Sequence, residues 1–403
     1  MDELATWLAD PDPATFPYAP VVAGFHGTGK HFVAQHTLKQ LALAREAIRG
    51  TTAPAVLPRW LDVLLDKWDD RYDYRSYLAL SLLPLPGTDA GSALVARDRL
   101  VAGLLGDVLG FEHDAAAGRT ALLPEMRPGP DLVAKRFRLG LKVARPALAR
   151  LGAGPLADDD GTAVTGLRTA MRRLLGPDEL RALDLSILPV YVSHDEYLFI
   201  RVLQVFETTF AMLVLRLRAG ITALDDRAWA VAAGHVSVAA RILTESAPTF
   251  SLLATMQVES FRTFREFTVG ASAIQSRNYR LLESLCRLPD DDRLASAAFH
   301  NTPDVREQVR HGLRTLEQAY TEAVGPADRN PPAGAEPVVA AFRAFAAAVR
   351  RWRQTHYRLA VRMLGDRTGT GYTEGTPYLS RARTIPVFLN DDLDDAAGAA
   401  GRT

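Results

Sequence analysis

Residues 194–219 read HDEYLFIRVLQVFETTFAMLVLRLRA, and this stretch decides the fold class. It predicts one long helix over about 192–219, since apolar residues fill it with no Gly or Pro to interrupt them. Its most apolar part, 196–215, carries Arg201 and Glu207 and runs on into Arg216 and Arg218. Ionised side chains are costly inside a bilayer, so the stretch reads as the buried core helix of a globular protein and not as a membrane span.

The same reading extends outward in both directions. Ala/Leu/Arg-rich helical periodicity runs from end to end, and no sustained alternation of β-branched residues appears, so the class is all-α. Gly and Pro punctuation sets helices at about 30–48, 57–69, 74–83, 92–109, 130–150, 162–175, 192–219, 226–246, 259–267, 273–287, 303–324 and 336–365. LGAGPLADDDGT at 151–162 and GPADRNPPAGAEP at 325–337 read as loops, because Pro331-Pro332 and the glycines around them cannot continue a helix. After Pro386 the chain continues as an acidic, small-residue tail without periodicity.

Composition narrows the function. Lys plus Arg and Asp plus Glu are 47 each. With no net field, nucleic acid, anionic lipid and polyanionic substrates are not expected partners. One cysteine, Cys286, excludes an internal disulfide and a cysteine-based zinc site and suits a reducing cytoplasm. The first residues lack the basic and apolar regions of a secretory signal.

Gly24-Phe25-His26-Gly27-Thr28-Gly29-Lys30-His31 nearly spells a phosphate-binding loop. His31 stands where Mg²⁺ chemistry needs a hydroxyl, and no βαβ pattern surrounds it, so the segment is expected to be a glycine-rich turn into a helix beginning near His31. His31 and His36, at i and i+5, do not share a helical face suited to a metal.

Three polar constellations remain. His194-Asp195-Glu196 opens the long helix, where acidic side chains cap a helix or meet its dipole. ESFRTFREFTVGASAIQSRNYRLLE, 259–283, is a helix, a small-residue break and a second helix; Arg265 lies one turn before the break, as a carboxylate clamp or a surface cation. His356 sits in WRQTHYRLAVRMLG before GDRTGTGYTEGTPYL, as a metal-binding imidazole beside a Gly/Thr-rich loop or as a structural histidine.

These blocks, in this order, resemble the tryptophan 2,3-dioxygenase superfamily. HDEYLFIRVLQVFETTF at 194–210 is similar to its HDE-x-LFI helix, with Gln204 and Glu207 matched further along. LLATMQVESFRTFREFTVGASAIQSRNYRLLE at 252–283 resembles its L-x-TM, FR and S-x-x-QS block, followed by an aromatic-Arg pair and a Glu. HYRLAVRMLGDRTGTGYTEGTPYL at 356–379 resembles its haem-ligating histidine and GTG loop, and YDYRSYLAL at 72–80 its Tyr-x-x-Tyr-Leu segment. The likeness covers roughly half the chain.

The resemblance implies an all-α helical bundle around haem b, with O₂ as co-substrate and an aromatic amino acid as substrate. The implied organisation is an N-terminal helical extension at 1–70, a haem-binding oxygenase core at 71–84 and 190–386, a helical insertion at 85–189, and a flexible tail at 387–403. His356 would bind the iron. Arg265 would hold the substrate carboxylate and Thr370 its head group; Phe199, Phe261 and Phe264 would wall the aromatic pocket, and Ser272 would lie near the distal side of the haem. Tyr74, Tyr77 and Leu78 match a segment that in the family reaches into a neighbouring subunit's pocket, implying a homo-oligomer, a tetramer or a dimer.

Departures shape the expected substrate. The family's distal histidine falls on Leu203, which offers no hydrogen bond, so a buried indole N–H there would go unpaired at ~1–3 kcal/mol. Phe261 stands where tyrosine is common, Tyr372, Thr373 and Glu374 where small residues are usual, and Ala273 where glycine is. The expected reaction is O₂ insertion across the indole C2=C3 bond of L-tryptophan or a modified tryptophan, to an N-formylkynurenine-type product. The alternatives are single-oxygen transfer to a modified tryptophan or a tyrosine in specialised metabolism, and a haem-binding protein that has lost catalysis.

Overall fold

The computed structural model describes residues 2–51, 55–325, 332–365, 375–390 and 393. Helices dominate, and among the described residues the only β-type pairing is an isolated bridge between Glu125 and Ser193. The all-α class expected from periodicity holds. Two compact units divide the chain.

The first unit comprises 1–85, 98–205 and 252–273. Four N-terminal helices, Asp2–Ala9, Tyr18–Thr28, Gln35–Ala47 and Val56–Leu64, enclose a core that includes Leu4, Trp7, Phe25, Leu41, Trp60 and Leu61. Each such fully buried large apolar side chain stabilises by ~1.5–3 kcal/mol. Leu185 and Leu188 belong to the same core. The near-phosphate loop is resolved into ordinary structure. Gly24 and Gly27 lie inside helix Tyr18–Thr28, and the next α-helix begins at Gln35, later than the expected start near His31. Lys30 is buried in an ion pair with Asp66 at 2.6 Å and is not offered to a ligand. Gly29, at φ +85°, is required because a Cβ there would lie 2.7 Å from the Val190 carbonyl oxygen.

Helices Ala90–Ala116, Pro130–Arg150, Asp160–Leu174 and Pro177–Leu185 form most of the expected insertion. Pro177 occupies a first helical position, where the missing N–H costs nothing.

The second unit comprises 86–97, 206–251 and 274–403. Its main pair is Trp229–Glu245 packed on Ala335–Leu364. The latter buries Val338, Ala341, Phe342, Phe345, Ala346 and Val349, a stripe of three- and four-residue steps. The expected 303–324 helix is two, Pro303–Arg310 and Leu316–Val324, because Gly312 takes φ +82° and Thr315 restarts the helix with a capping box to Gln318. Val387, Phe388 and Leu393 of the expected tail are buried, Phe388 stacking on Phe342; 391–392 and 394–403 lie outside the described residues.

The decisive helix runs His194–Asp225. By length and composition it is apolar enough to cross a membrane, yet most of it is buried within the protein, as a core helix is.

Candidate functional site

The HDE triplet does not cap its own helix. Asp195 accepts from Arg136 at 2.6 Å and from the Gln257 backbone N–H at 2.6 Å. Glu112 pairs with Arg136 at 2.7 Å and meets the His194 ring at 3.1 Å. Arg136 also donates to the hydroxyl and carbonyl of Thr255, both at 3.2 Å. Burial raises the Glu112 carboxyl, but His194 and Arg136 more than reverse this, and the net shift is downward. The block around 255–257 is thus fixed to helices Ala90–Ala116 and Pro130–Arg150 through one buried charge cluster.

Glu196 turns to the other side. Its carboxylate accepts from the backbone N–H groups of Val190 at 2.7 Å and Tyr191 at 3.0 Å, and from the Tyr77 hydroxyl at 3.2 Å. Burial nevertheless pushes its pKa up to about 8. One turn on, Arg201 donates to Asp107 at 2.6 Å, and Gln204 donates to the Leu78 carbonyl at 2.8 Å. Asp107 also accepts from Tyr197 at 2.7 Å.

Against this buried polar lining, one apolar face stays open. From His194 to Val214 every residue is buried except Phe199 and Leu203, which are half-buried and lie one helical turn apart. Phe199 meets Phe264 at 5.3 Å, Phe261 at 5.8 Å and Tyr77 at 6.4 Å between ring centroids. Phe261 and Phe264 pack edge to face at 5.6 Å. Arg265 ends helix Val258–Arg265 and is half-buried next in sequence to Phe264; its carbonyl accepts from the Thr268 hydroxyl at 2.9 Å. Half-buried Ser272 follows the bend at Gly270, and Ala273 beside it is exposed. Tyr74, Tyr77 and Leu78 are buried. The geometry thus gathers Phe199, Phe261, Phe264 and Tyr77 into one aromatic wall, with Leu203 on the same helix face as Phe199.

The second unit holds His356, half-buried on helix Ala335–Leu364. Its ring lies 5.2 Å from Trp352 and 6.2 Å from Phe250 between centroids. Phe206, Phe210 and Tyr279 complete the aromatic cluster around Trp352. Desolvation lowers the His356 pKa to about 4, so its imidazole is neutral near pH 7. Arg353, next to Trp352, pairs with Glu283 at 3.1 Å and bonds Tyr279 at 3.0 Å. Glu283 also meets Arg280 and Arg293, and these three guanidinium groups, opposed by burial, bring its carboxyl down to about 2. Thr370, Tyr372, Thr373 and Glu374 lie outside the described residues.

Curated relatives cover about half of this chain. A tryptophan 2,3-dioxygenase of Anaeromyxobacter dehalogenans (strain 2CP-C) is 30% identical over 232 residues, covering 49% of this chain and 84% of the relative. The chain belongs to the tryptophan 2,3-dioxygenase family. The family's members from Anaeromyxobacter sp. (strain K), 29% identical with the same coverage, and from Burkholderia multivorans, 27% identical over 50% of this chain and 75% of the relative, agree. No family model matches the chain. Family membership also places it among the dioxygenases.

Sequence reasoning missed Glu112, Arg136, Asp107 and the bonded role of Glu196. Their signal was present: charges embedded in apolar helical segments, as in LLGDVLGFEH at 104–113, must be paired if the helix is buried.

Proposed function

We propose that this chain is a haem-dependent oxygenase that binds L-tryptophan or a modified tryptophan and inserts O₂ across the indole C2=C3 bond, giving an N-formylkynurenine-type product. The observation that carries the substrate class is the half-buried pair Phe199 and Leu203, the two residues between His194 and Val214 that are not buried, with Phe199 packed among Phe261, Phe264 and Tyr77. An apolar wall with edge-to-face rings suits an indole. Arg265, beside Phe264 in sequence, would supply a planar guanidinium for the α-carboxylate, and the sequence resemblance gives Thr370 the head group.

His356 would hold the haem iron. Among the described residues its imidazole has no hydrogen-bond or ion-pair partner, and it is neutral at physiological pH. One turn earlier the Trp352 indole N–H is buried without a partner, a further donor beside the ligand. When bound, haem iron supplies the activation of O₂. The protein's own work is to hold the indole against Phe199, clamp the carboxylate and keep water from the reacting ring.

Leu203 favours a second reading, single-oxygen transfer to a tryptophan with a substituted indole nitrogen, because such a ring has no N–H to leave unpaired. One turnover of L-tryptophan and of 1-methyltryptophan under ¹⁸O₂, followed by product mass, separates the two. Two labelled atoms in the product support dioxygenation; a single labelled atom refutes it.

A further inference from the structure

A small cavity within the second unit is lined by three arginines, Arg287, Arg293 and Arg353, and by one carboxylate, Glu283. It lies between helix Arg277–Cys286, helix Ala335–Leu364 and the 385–387 stretch. Its other lining residues carry no charge, and the Cys286 thiol is held protonated by burial, which pushes it up to about 12. Three guanidinium groups against one carboxylate leave the lining with two positive charges in excess. Arg280, which also pairs with Glu283, adds a further positive charge behind it. Nearby carboxylates are turned elsewhere. Glu317 accepts from the Leu389 and Asn390 backbone N–H groups at 2.6 and 2.8 Å, and Asp290 accepts from the Arg293 backbone N–H at 2.7 Å.

The donors of the cavity are also in surplus. Arg353 uses all of its nitrogens: Nε on the Tyr279 hydroxyl at 3.0 Å, one Nη on the Ile385 carbonyl at 2.6 Å and the other on Glu283 at 3.1 Å. Arg293 gives one Nη to the two Glu283 oxygens at 3.1 and 3.2 Å and the other to the Tyr378 hydroxyl at 3.5 Å, but its buried Nε–H has no acceptor among the described residues. Arg287 gives Nε to the Pro386 carbonyl at 3.1 Å and one Nη to the Leu288 carbonyl at 3.2 Å; its second Nη has no acceptor among the described residues. Two cationic donors from different segments thus line one cavity without partners, which is costly unless something fills it. The space takes about one water-sized body, too little for an organic carboxylate. A water would satisfy the donors and leave the charge excess; a univalent anion answers both.

We propose that this cavity binds a small univalent inorganic anion such as chloride, held by the Nε–H of Arg293 and the second Nη of Arg287. The anion joins these two arginines to the 385–387 stretch, whose carbonyls already hold Arg287 and Arg353, and so braces the end of the chain against the helix that carries His356. The site is independent of the substrate reading above.

The test uses the full-length, haem-loaded protein. Sodium gluconate, whose anion is too large for the space, is replaced by sodium chloride at constant ionic strength, while thermal unfolding and the ³⁵Cl NMR linewidth are followed. Expected are a rise of a few degrees in the unfolding midpoint and a broadened ³⁵Cl line that bromide narrows by competition. Arg287→Gln and Arg293→Gln should each weaken the chloride dependence by ~10-fold or more, and exposed Arg119→Gln should leave it unchanged. No chloride dependence in the wild type, or one that persists undiminished in both folded variants, overturns the proposal. Should the variants not fold, wild-type crystals soaked in bromide decide. An anomalous peak within hydrogen-bond reach of Arg293 Nε and Arg287 supports the site, and a cavity filled by water alone overturns it.

Discussion

Replacing Arg136 with alanine removes the centre of the buried cluster that ties the HDE helix to the inserted helices. Arg136 is fully buried between Glu112 at 2.7 Å and Asp195 at 2.6 Å, and it donates two further bonds to Thr255. Breaking a buried pair by deleting one partner costs ~3–5 kcal/mol, because the surviving charge stays desolvated. Here two carboxylates survive, and His194 and the Gln257 N–H each compensate only one of them, so the upper part of that range is expected. With a urea dependence of about 3 kcal/mol per M, the unfolding midpoint followed by circular dichroism should fall by ~1.3–1.7 M. Glu112→Gln with Arg136→Met should cost less than Arg136→Met alone, since the pair is removed together. As a control, exposed Arg119→Ala should change stability by less than about 1 kcal/mol. A loss for Arg136→Ala no larger than for Arg119→Ala would mean that the Glu112–Arg136–Asp195 cluster does not hold the helices together.

Three further outcomes follow from the same geometry. Glu196 holds its proton to about pH 8 when folded, against an ordinary value of 4.5, so its contribution to stability is complete below about 4.5 and is lost as pH rises to about 8. Urea midpoints at pH 5 and pH 8 should therefore differ between wild type and Glu196→Gln by a slope of up to ~1.4 kcal/mol per pH unit, and parallel profiles would contradict it. Arg265→Gln should raise the KM for tryptophan by ~10- to 100-fold while leaving tryptamine, which has no carboxylate, unaffected; equal losses for both ligands would remove the clamp. Leu203→His should tighten tryptophan binding by up to ~10-fold and leave 1-methyltryptophan no better bound, measured by calorimetry, and equal gains for both would show that no N–H is being read.

The long helices were legible because their apolar periodicity is strong, and His194–Asp225 and Ala335–Leu364 lie close to where the pattern puts them. Short elements were not. Asp2–Ala9 and Tyr18–Thr28 are hidden by Pro11, Pro13, Pro17 and Pro20, although proline is tolerated in a first turn. Ala247–Leu253 and Thr376–Ala382 are too short for periodicity to mark, and the expected helix at 74–83 is only the turn Tyr74–Tyr77, because Ala79 takes φ +47°. The aromatic wall was legible from ordered motifs. The charge cluster was not, since Arg136 and Asp195 are far apart in sequence and only packing pairs them.

The absorption spectrum of haem-replete protein, with and without His356→Ala, shows whether His356 holds the iron. Expected is loss of the histidine-ligated ferric and ferrous spectra in the variant, restored when free imidazole is added. An unchanged histidine-type spectrum in His356→Ala would contradict the assignment.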